Sequence, residues 1–411
     1  MNEKIETVIV GGGQAGLSIS YYLTQYGRSH IVLEQAAQAG EAWRNHRWDS
    51  FTLVTPNWMT KLPGAEYDGD DSDGFLLRTE VVAYLEGYVE RSNLPVRYNV
   101  RVTSVEQKPG KDGYLVSTHT GAWEADNVVM ATGNFQAPKI PPFSSGFPPE
   151  ILQLHSSQYR NPSLLPPGAV LVVGTAQSGC QIAEELYQSG RQVFLCVSNI
   201  GRLPRRYRGK DITWWLDRTG QFDRTLENMP APHTRYTSNP QVSGRDGGHT
   251  LNLHQFARDG VVLLGHLQGA QDGKVYLASD LKESLAKIDQ VEVETLGKLD
   301  EFIAQNGLDF PEENVPVLRD GYQAEIITEL DLKSAGITSV VWATGYKFDF
   351  SLVKLPVFEG DGFPVQVRGV TVYPGLYFLG LLWLYVRKSS LLYGVGEDAA
   401  YIAAKILKRN L

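Results

Sequence analysis

The stretch TVIVGGGQAG, residues 7–16, decides the fold. Its apolar first half predicts a buried parallel strand, and Gly11, Gly13 and Gly16 then follow in the spacing G-x-G-x-x-G. Residues 17–26 predict an amphipathic helix, and a second strand at residues 30–33 ends in Glu34. Strand, glycine spacing, helix and acid together are typical of a dinucleotide-binding βαβ unit. The alternative, an ordinary βαβ unit with glycines in its turn, is disfavoured because all four features coincide.

Each residue of this unit has an expected role. Gly11 makes the tight turn, Gly13 lets the backbone approach a pyrophosphate, and Gly16 allows close packing of helix on strand. The helix N-terminus faces the negative phosphates. Glu34 can accept hydrogen bonds from both ribose hydroxyls of an adenosine. The expected contacts of this first cofactor are therefore Gly11, Gly13, Gln14, Ala15, Gly16, Glu34 and Gln35.

Further segments suit the same large cofactor. The loop at residues 40–44 carries an aromatic–basic pair, Trp43 and Arg44. A buried strand near residues 126–130 runs into small residues that let the chain pass close to a ligand, and a strand near residues 340–342 ends in the same way. The final helix opens at residues 394–398, and its N-terminus could face a flavin. These segments add Ala131, Thr132, Gly133, Ala343, Thr344, Gly345, Gly396 and Asp398 to the candidate cofactor contacts.

The opening pattern returns in the middle of the chain. A strand at residues 170–173 precedes the turn GTAQSG, residues 174–179, in which Ala176 replaces the middle glycine at the cost of one methyl of clearance. Helix 180–189 and strand 192–197 complete a second unit. We expect the pyrophosphate of a second dinucleotide at this turn, contacted by Gly174, Gln177, Ser178 and Gly179.

The second unit lacks the acid of the first. Its second strand ends in Ser198, and Arg202, Arg205 and Arg206 follow. An acid would repel a 2′-phosphate, whereas arginine forks bind phosphate well. The second nucleotide is therefore predicted to be NADPH rather than NADH. The alternative is a solvated basic loop.

Two dinucleotide units in one chain predict an α/β fold with two Rossmann-like domains. A length of 411 residues exceeds what one core usually supports. We expect an FAD-binding domain formed by residues 1–165 and 335–411, with an NADPH-binding domain of residues 166–334 inserted into it. One tightly held FAD and one exchangeable NADPH is the simplest interpretation.

Composition excludes several functions. A net charge of −8 argues against nucleic-acid binding, and the apolar run near residues 376–386 is too short to span a membrane. Cys180 and Cys196 are the only cysteines and form no C-x-x-C, which disfavours a redox dithiol. No metal-ligand cluster is evident.

The N-terminus leaves no room for a signal peptide, so we expect a cytoplasmic protein. The sequence does not decide the oligomeric state, with a homodimer as one option.

Beyond these features, the chain resembles the class B flavin-dependent monooxygenases, two-dinucleotide flavoproteins that include relatives of the plant indole-pyruvate oxygenases. The matching stretches lie in the family's order over nearly the whole chain: GGGQAG with LEQ, GEAWR, LVTPNWMTKLPG, VVMATGNFQAPKIP, HSSQYRNP, VVGTAQSGCQIAEEL, PRRYRGKDITWWL, VVWATGYKFDF, and PGLYFLG with GVGEDAAYIA. Two places depart from the family pattern. Pro149 and Ile151 stand where the family has Phe and Gly before His155, which weakens a Baeyer–Villiger assignment. The last strand ends in Gly380-Leu381 instead of Gly-Asp.

The resemblance implies a reaction. NADPH reduces FAD, the reduced flavin adds dioxygen at C4a, and the hydroperoxide oxygenates a small organic substrate at a nitrogen, sulfur or carbonyl centre. Asn57 lies in the segment that resembles the family's flavin-facing Asn segment, so it is the candidate catalytic hydrogen-bond donor; the alternative is an Asn that caps a turn. His155 is expected to order the connector between the domains rather than to exchange protons.

Two other functions remain open at this point. An NADPH-dependent flavin oxidase or reductase would release hydrogen peroxide without oxygenating a substrate. A flavin- or nucleotide-sensing regulator would not catalyse the oxidation of NADPH. Two intact nucleotide fingerprints disfavour such a regulator.

Overall fold

A seven-stranded sheet carries the first glycine turn. The computed structural model describes residues 2–110, 112–229 and 241–409. Five strands of this sheet pair in parallel, and two more join at one side through antiparallel pairing. In order across the sheet the strands are Val96–Arg97, His30–Leu33, Glu3–Val10, Ala122–Met130, Tyr114–Thr118 and Val102–Gln107, with Leu376–Phe378 also paired to Ala122–Met130.

The apolar runs of the sequence become the centre of this sheet. Glu3–Val10 pairs with Ala122–Met130 in parallel, and the last four residues of each strand are buried. Such continuous apolar runs are expected where helices cover both faces of a parallel sheet. The helices Gln14–Gln25 and Val395–Arg409 pack against each other over this core, and Arg78–Arg91 also contributes buried side chains to it.

A second sheet, of five parallel strands, carries the second glycine turn. Its strands are, in order, Leu152–His155, Ile337–Trp342, Ala169–Val173, Val193–Cys196 and Val262–Leu264. The helices Gln177–Gln188, Leu253–Arg258 and Leu281–Gln305 bury apolar residues in one core against it. A small antiparallel sheet of Leu267–Gln271, Lys274–Leu277 and Glu329–Asp331 contributes to another core. The predicted α/β architecture with two parallel sheets is confirmed.

The domain boundaries predicted at residues 166 and 335 do not coincide with the limits of the second sheet. Leu152–His155 and Ile337–Trp342 both belong to the second sheet, so that sheet begins earlier and ends later along the chain than predicted. Ile337–Trp342 was misassigned because its sequence signature fits either sheet. Ala131 donates its N–H to Val10 O in the first sheet, and Ala343 donates in the same way to Val173 O in the second, both at 2.9 Å.

The two chain crossings between the sheets lie side by side. Ala137–Pro138 pairs antiparallel with Tyr346–Lys347, so one short ribbon connects the two sheets. We call this pair the crossing ribbon.

Shorter elements complete the described part of the chain. Of the tract 211–255, which the sequence left unplaced, residues 230–240 lie outside the described residues. The short helices are Glu41–Arg44, Asn57–Met59, Pro142–Gly146, Pro162–Leu164, Ile212–Arg218, Leu226–Asn228, Arg245–Gly247, Asp320–Gln323 and Arg387–Ser390. The remaining strands are Lys61–Leu62 with Ala65–Glu66, Arg206–Tyr207 with Lys210–Asp211, and Val242–Ser243 with His249–Thr250. Among the described helices, none combines the length and the apolar character needed to cross a membrane.

Candidate functional site

The first glycine turn requires glycine at two positions. Gly11 has φ +107°, and a Cβ there would lie 2.6 Å from the Ala131 carbonyl oxygen. A Cβ on Gly16 would overlap the Gly11 carbonyl oxygen. Both residues therefore let the strand, the turn and the helix approach more closely than a side chain permits.

Gly13 is a different case. Its φ of −80° is accessible to any residue, and nothing lies within 4 Å of the place where its Cβ would be. The residue is exposed at the start of the helix Gln14–Gln25. The protein itself does not need glycine here, but a ligand seated against the backbone does. An open turn at a helix N-terminus fits the pyrophosphate of a dinucleotide.

Glu34 lies at the end of the neighbouring strand and closes the turn. Its Oε2 accepts from Gly12 N at 2.6 Å, and its Oε1 accepts from Ala36 N at 2.8 Å. A carboxylate has about four acceptor sites, so each oxygen keeps capacity for a ribose hydroxyl. Gln35 is exposed beside it. These groups fit the adenosine half of FAD.

The last strand of the first sheet reaches the same turn. Gly380 has φ +78°, and a Cβ there would lie 2.5 Å from Ala15 Cβ. The Asn134 side chain donates to Gly380 O at 3.0 Å and accepts from Leu382 N at 2.8 Å. Asn134 thereby joins the segment after Ala131–Gly133 to the segment after the last strand. The sequence prediction missed Asn134, although its place directly after Gly133 was a signal.

Gln14 and Arg44 make internal contacts. Gln14 donates its Nε2 to Ser390 O at 2.6 Å, and so ties the helix N-terminus to the segment before the last helix. Arg44 pairs through Nη2 with Glu86 Oε1 at 2.5 Å. A carboxylate thus already holds the guanidinium of Arg44, and the contact of this residue with the cofactor stays a prediction. Trp43 is half-buried against Phe51, with ring centroids 5.8 Å apart.

Asp398 and Gly396 are packing residues. Asp398 is 1% exposed, and its Oδ1 accepts from Arg368 Nε at 3.1 Å. Burial raises the pKa of this carboxyl. A Cβ on Gly396 would lie 3.0 Å from Pro63 Cγ. Its Oδ2 is buried and has no hydrogen-bond partner among the described groups, and the contact of Asp398 with a cofactor stays a prediction.

Asn57 opens the short helix Asn57–Met59 and is 4% exposed. Its backbone N–H donates to Gly74 O at 2.9 Å, and its Nδ2 donates to Asp71 O at 2.8 Å. Its Oδ1 is buried and has no hydrogen-bond partner among the described groups. Asn57 thus fixes the acidic loop that ends at Gly74, while one buried amide oxygen remains for another donor.

The second glycine turn repeats the geometry of the first. Gly174 has φ +103°, and a Cβ there would lie 2.8 Å from the Ala343 carbonyl oxygen. A Cβ on Gly179 would overlap the Gly174 carbonyl oxygen. Ala176 precedes the helix Gln177–Gln188 in extended backbone, so its methyl group is accommodated without strain. Ala343 lies behind this second turn as Ala131 lies behind the first.

A hydroxyl replaces the acid in this second turn. Ser198 Oγ accepts from Thr175 N at 3.2 Å, the position at which Glu34 binds Gly12 in the first turn. The turn is closed without a negative charge, which leaves this edge compatible with a phosphorylated ribose.

Two of the three predicted phosphate-binding arginines are buried ion-pair partners. Arg202 is 4% exposed; its Nη2 lies 2.5 Å from Glu292 and 2.9 Å from Asp289. Arg205 is 1% exposed and pairs with Asp211 at 2.7 Å. These ion pairs disfavour the prediction that the two arginines bind a 2′-phosphate, because carboxylates already hold both guanidinium groups. Arg206 is exposed, and its guanidinium donates to the carbonyl oxygens of Gly247 and Gly248.

The strand ends of the two sheets meet the connector. Thr132 Oγ1 and Gly133 O both accept from Gln136, and Thr344 Oγ1 donates to Lys139 O. His155 is fully buried, and its Nε2 donates to Gly345 O at 3.0 Å. Burial lowers the pKa of His155, which favours a neutral ring that orders the connector.

Comparisons with known proteins agree with this geometry. The family model described as pyridine nucleotide-disulphide oxidoreductase matches residues 8–216 of the 411. An uncharacterized oxidoreductase, CzcO-like, from Geobacillus kaustophilus is 32% identical over 409 residues, which cover 99% of each chain. The probable indole-3-pyruvate monooxygenase YUCCA3 of Arabidopsis thaliana is 27% identical over 215 residues, covering 49% of this chain and 48% of its own.

A solved structure has the same fold over its full length. The flavin-containing monooxygenase from Stenotrophomonas maltophilia superposes with a TM-score of 0.67 at 21% identity, with both chains covered completely. The resemblance to flavin monooxygenases is thereby confirmed at the level of the fold. The family model and the Geobacillus kaustophilus relative, which matches over 99% of both chains, show that the chain belongs to the pyridine nucleotide-disulphide oxidoreductase family.

Proposed function

We propose that this protein is an NADPH-dependent FAD monooxygenase that oxygenates a small organic substrate at a nitrogen, sulfur or carbonyl centre. The repeated glycine turn carries the proposal. Gly11 and Gly174 lie against the carbonyl oxygens of Ala131 and Ala343, each at the carboxyl end of a parallel sheet. Ligands of such sheets bind outside the carboxyl ends of the strands. The first turn, which Glu34 closes, suits FAD. The second turn, which Ser198 closes, suits NADPH.

The cysteines argue against disulphide chemistry, which the family name includes. Cys180 and Cys196 are free and buried, and burial raises the pKa of both thiols. A redox dithiol needs an accessible thiolate of lowered pKa. The proposed electron acceptor is therefore dioxygen rather than a disulphide.

In this proposal FAD, when bound, would supply the oxygenating chemistry that the family resemblance implies. The protein binds the two dinucleotides through their phosphates and keeps water away from the reacting groups. An aromatic cluster supports the second task. The rings of Trp58 and Phe222 lie 5.5 and 6.3 Å from that of Tyr393, between the turn after Pro56 and the helix Ile212–Arg218. We propose that this cluster walls the substrate space.

The alternative is an NADPH oxidase or reductase that releases hydrogen peroxide and oxygenates nothing. The decisive experiment follows NADPH oxidation by the purified yellow protein across a panel of amines, thioethers and ketones. Oxygen uptake, hydrogen peroxide and product mass are measured together. A product heavier by one oxygen atom, in proportion to NADPH consumed, supports the monooxygenase. Stoichiometric peroxide with every compound supports the oxidase, and absence of NADPH turnover refutes both.

Arg206 is the remaining candidate for recognition of the 2′-phosphate. We expect Arg206→Ala to raise the KM for NADPH about tenfold and to leave that for NADH nearly unchanged, since a charge-assisted hydrogen bond to phosphate is lost. Steady-state kinetics with both nucleotides measure this. The exposed Arg218 provides the matched control, Arg218→Ala. Equal losses for NADPH and NADH would show that Arg206 does not distinguish them.

Asn57 is proposed to hydrogen-bond the flavin region with the amide capacity that its loop contacts leave free. We expect Asn57→Ala to raise the peroxide released per NADPH, because the variant lacks the second N–H of the Nδ2 amide, which the bond to Asp71 O does not use. Losing one preorganised donor costs on the order of a hundredfold at such sites. Peroxide and product assays at saturating substrate give the ratio, and circular dichroism checks the fold. The exposed Asn228 provides the control variant, Asn228→Ala. An unchanged ratio in folded Asn57→Ala would reduce its role to holding the loop.

A further inference from the structure

One segment of the first domain is fixed between the two cores. Trp43 packs on the core of the first sheet, Trp48 is part of the core of the second, and Phe51 contacts both. Arg160 donates to the carbonyl oxygens of Arg44 and Arg47 and accepts from Asp49 N. The backbone of this segment is therefore held in place from both sides.

Arg47 lies in the middle of this segment and pairs with no acid among the residues that the structure describes. Its guanidinium carbon lies 5.3 Å from the ring centroid of Trp43, 5.6 Å from that of Phe51 and 5.1 Å from that of Phe135. It also hydrogen-bonds to Tyr346 and donates to the His46 carbonyl oxygen. In residues 2–110, 112–229 and 241–409, no carboxylate lies within ion-pair distance of it, and residues 230–240 contain neither Asp nor Glu.

This environment favours an incoming anion. Aromatic rings hold the guanidinium by cation–π contact but do not neutralise it. Burial lowers the pKa of Arg47, so its charge is only partly compensated by its surroundings. A partly desolvated cation binds an anion more strongly than a solvated one does. Arg44, only three residues earlier, already has its carboxylate in Glu86, so Arg47 is the cation of this segment that remains available.

The position of Arg47 indicates which anion it meets. Tyr346, its hydrogen-bond partner, directly follows Ala343–Gly345, and the ring of Tyr346 lies 4.8 Å from that of His155. These residues follow or end the strands Ile337–Trp342 and Leu152–His155, at the carboxyl edge of the second sheet. The strand that leads to Ser198 and Arg206 lies on the opposite side of Ala169–Val173. Arg47 is thus on the side of the second turn away from the expected 2′-phosphate.

We propose that Arg47 binds the pyrophosphate of the nicotinamide dinucleotide, reaching from the first domain onto the ligand of the second. This inference rests on the proposed function for its second nucleotide. The contact adds a charge-assisted hydrogen bond to the backbone donors of the turn Gly174–Gly179. It does not depend on the 2′-phosphate, so NAD⁺ and NADP⁺ both use it.

The test is binding, measured by calorimetry on the FAD-loaded protein without turnover. The variants are Arg47→Met, which keeps the apolar stem among the rings, and Arg47→Lys, which keeps the charge. Exposed Arg101 provides the control, Arg101→Ala. The probes are NADP⁺, NAD⁺ and adenosine 2′-phosphate, which lacks the pyrophosphate. We expect Arg47→Met to weaken the binding of NADP⁺ and of NAD⁺ at least tenfold and to leave the affinity for adenosine 2′-phosphate unchanged. Arg47→Lys should have affinities for NADP⁺ and NAD⁺ between those of Arg47→Met and the unmodified protein.

The outcomes separate this inference from the proposed function. Unchanged NADP⁺ affinity in Arg47→Met, or an equal loss for adenosine 2′-phosphate, would overturn the inference while the proposed function stands. Loss of FAD during dialysis of Arg47→Met, with NADP⁺ affinity kept, would also overturn it by moving the contact to the other cofactor. Failure of the unmodified protein to bind NADP⁺ would instead refute the proposed function.

Discussion

A Gly13→Val protein is expected to fold normally and to contain essentially no FAD. Valine is compatible with the backbone of Gly13, and the space around its Cβ is free of protein atoms to 4 Å. The same space is where a pyrophosphate must approach the helix N-terminus, so the branched side chain displaces the ligand. Flavin absorbance per protein, measured after purification and after dialysis against added FAD, gives the result.

Two other glycines serve as controls for this experiment. Gly121 lies in an exposed turn with nothing near its Cβ, so Gly121→Val keeps its flavin. Gly16→Ala loses flavin for another reason, because its Cβ overlaps the Gly11 carbonyl oxygen and the turn cannot form unstrained. We therefore expect Gly16→Ala to lower the melting temperature and Gly13→Val to preserve that of the apoprotein. A folded Gly13→Val protein that keeps its flavin would show that FAD does not bind at this turn.

Arg202→Met is expected to lower the free energy of unfolding by about 3–5 kcal/mol, because removing one partner of a buried ion pair leaves the other charge uncompensated. Glu292 and Asp289, at 12% and 19% side-chain exposure, both lose their cation. Urea unfolding at neutral pH measures the loss. Arg258→Met removes an exposed pair with Asp320 and should change little. A loss as small as that of Arg258→Met would show that Arg202 is not a structural ion pair.

The effect of Arg202→Met should also depend on pH. Burial alone would raise the pKa of Asp289, but hydrogen bonds from His254 and Tyr322 and the charge of Arg202 bring it down to about 2. An acid with a depressed folded pKa stabilises the protein above its unfolded pKa of about 3.9 and loses that contribution as the pH falls through the folded value. The difference in the free energy of unfolding between the unmodified protein and Arg202→Met should therefore become smaller from pH 4 towards pH 2.

The glycine turns were predictable because their geometry is local. The spacing of Gly11, Gly13 and Gly16 determines which residues meet within one turn of chain, and the same spacing around Gly174 produces the same contacts. The closure of the second turn by an uncharged residue, Ser198, was also predictable, because the strand before Ser198 sets where its side chain points. Such features need no knowledge of the rest of the chain.

The role of Arg202 was not predictable in this way because its partners are remote in sequence. Arg202 meets Glu292, which is 90 residues away on the helix Leu281–Gln305. Asp289 and Glu292 share one face of that helix at a spacing of three residues, a signal that a buried cation was needed. The strand Ile337–Trp342 was misassigned for a related reason. Its end repeats Ala131–Gly133, and only strand pairing shows which glycine turn it supports.

The crossing ribbon is a backbone connection through which we expect the two proposed ligand sites to be coupled. Its two segments follow the strand ends at Ala131 and Ala343, so any rotation of one domain against the other is transmitted to the backbone behind both glycine turns. A ligand that prefers one rotational state thereby changes the affinity of the other site. By linkage the change is reciprocal: whatever factor FAD imposes on the nicotinamide nucleotide, that nucleotide imposes on FAD. The expected coupling therefore runs through a connection that is only two residues long on each side.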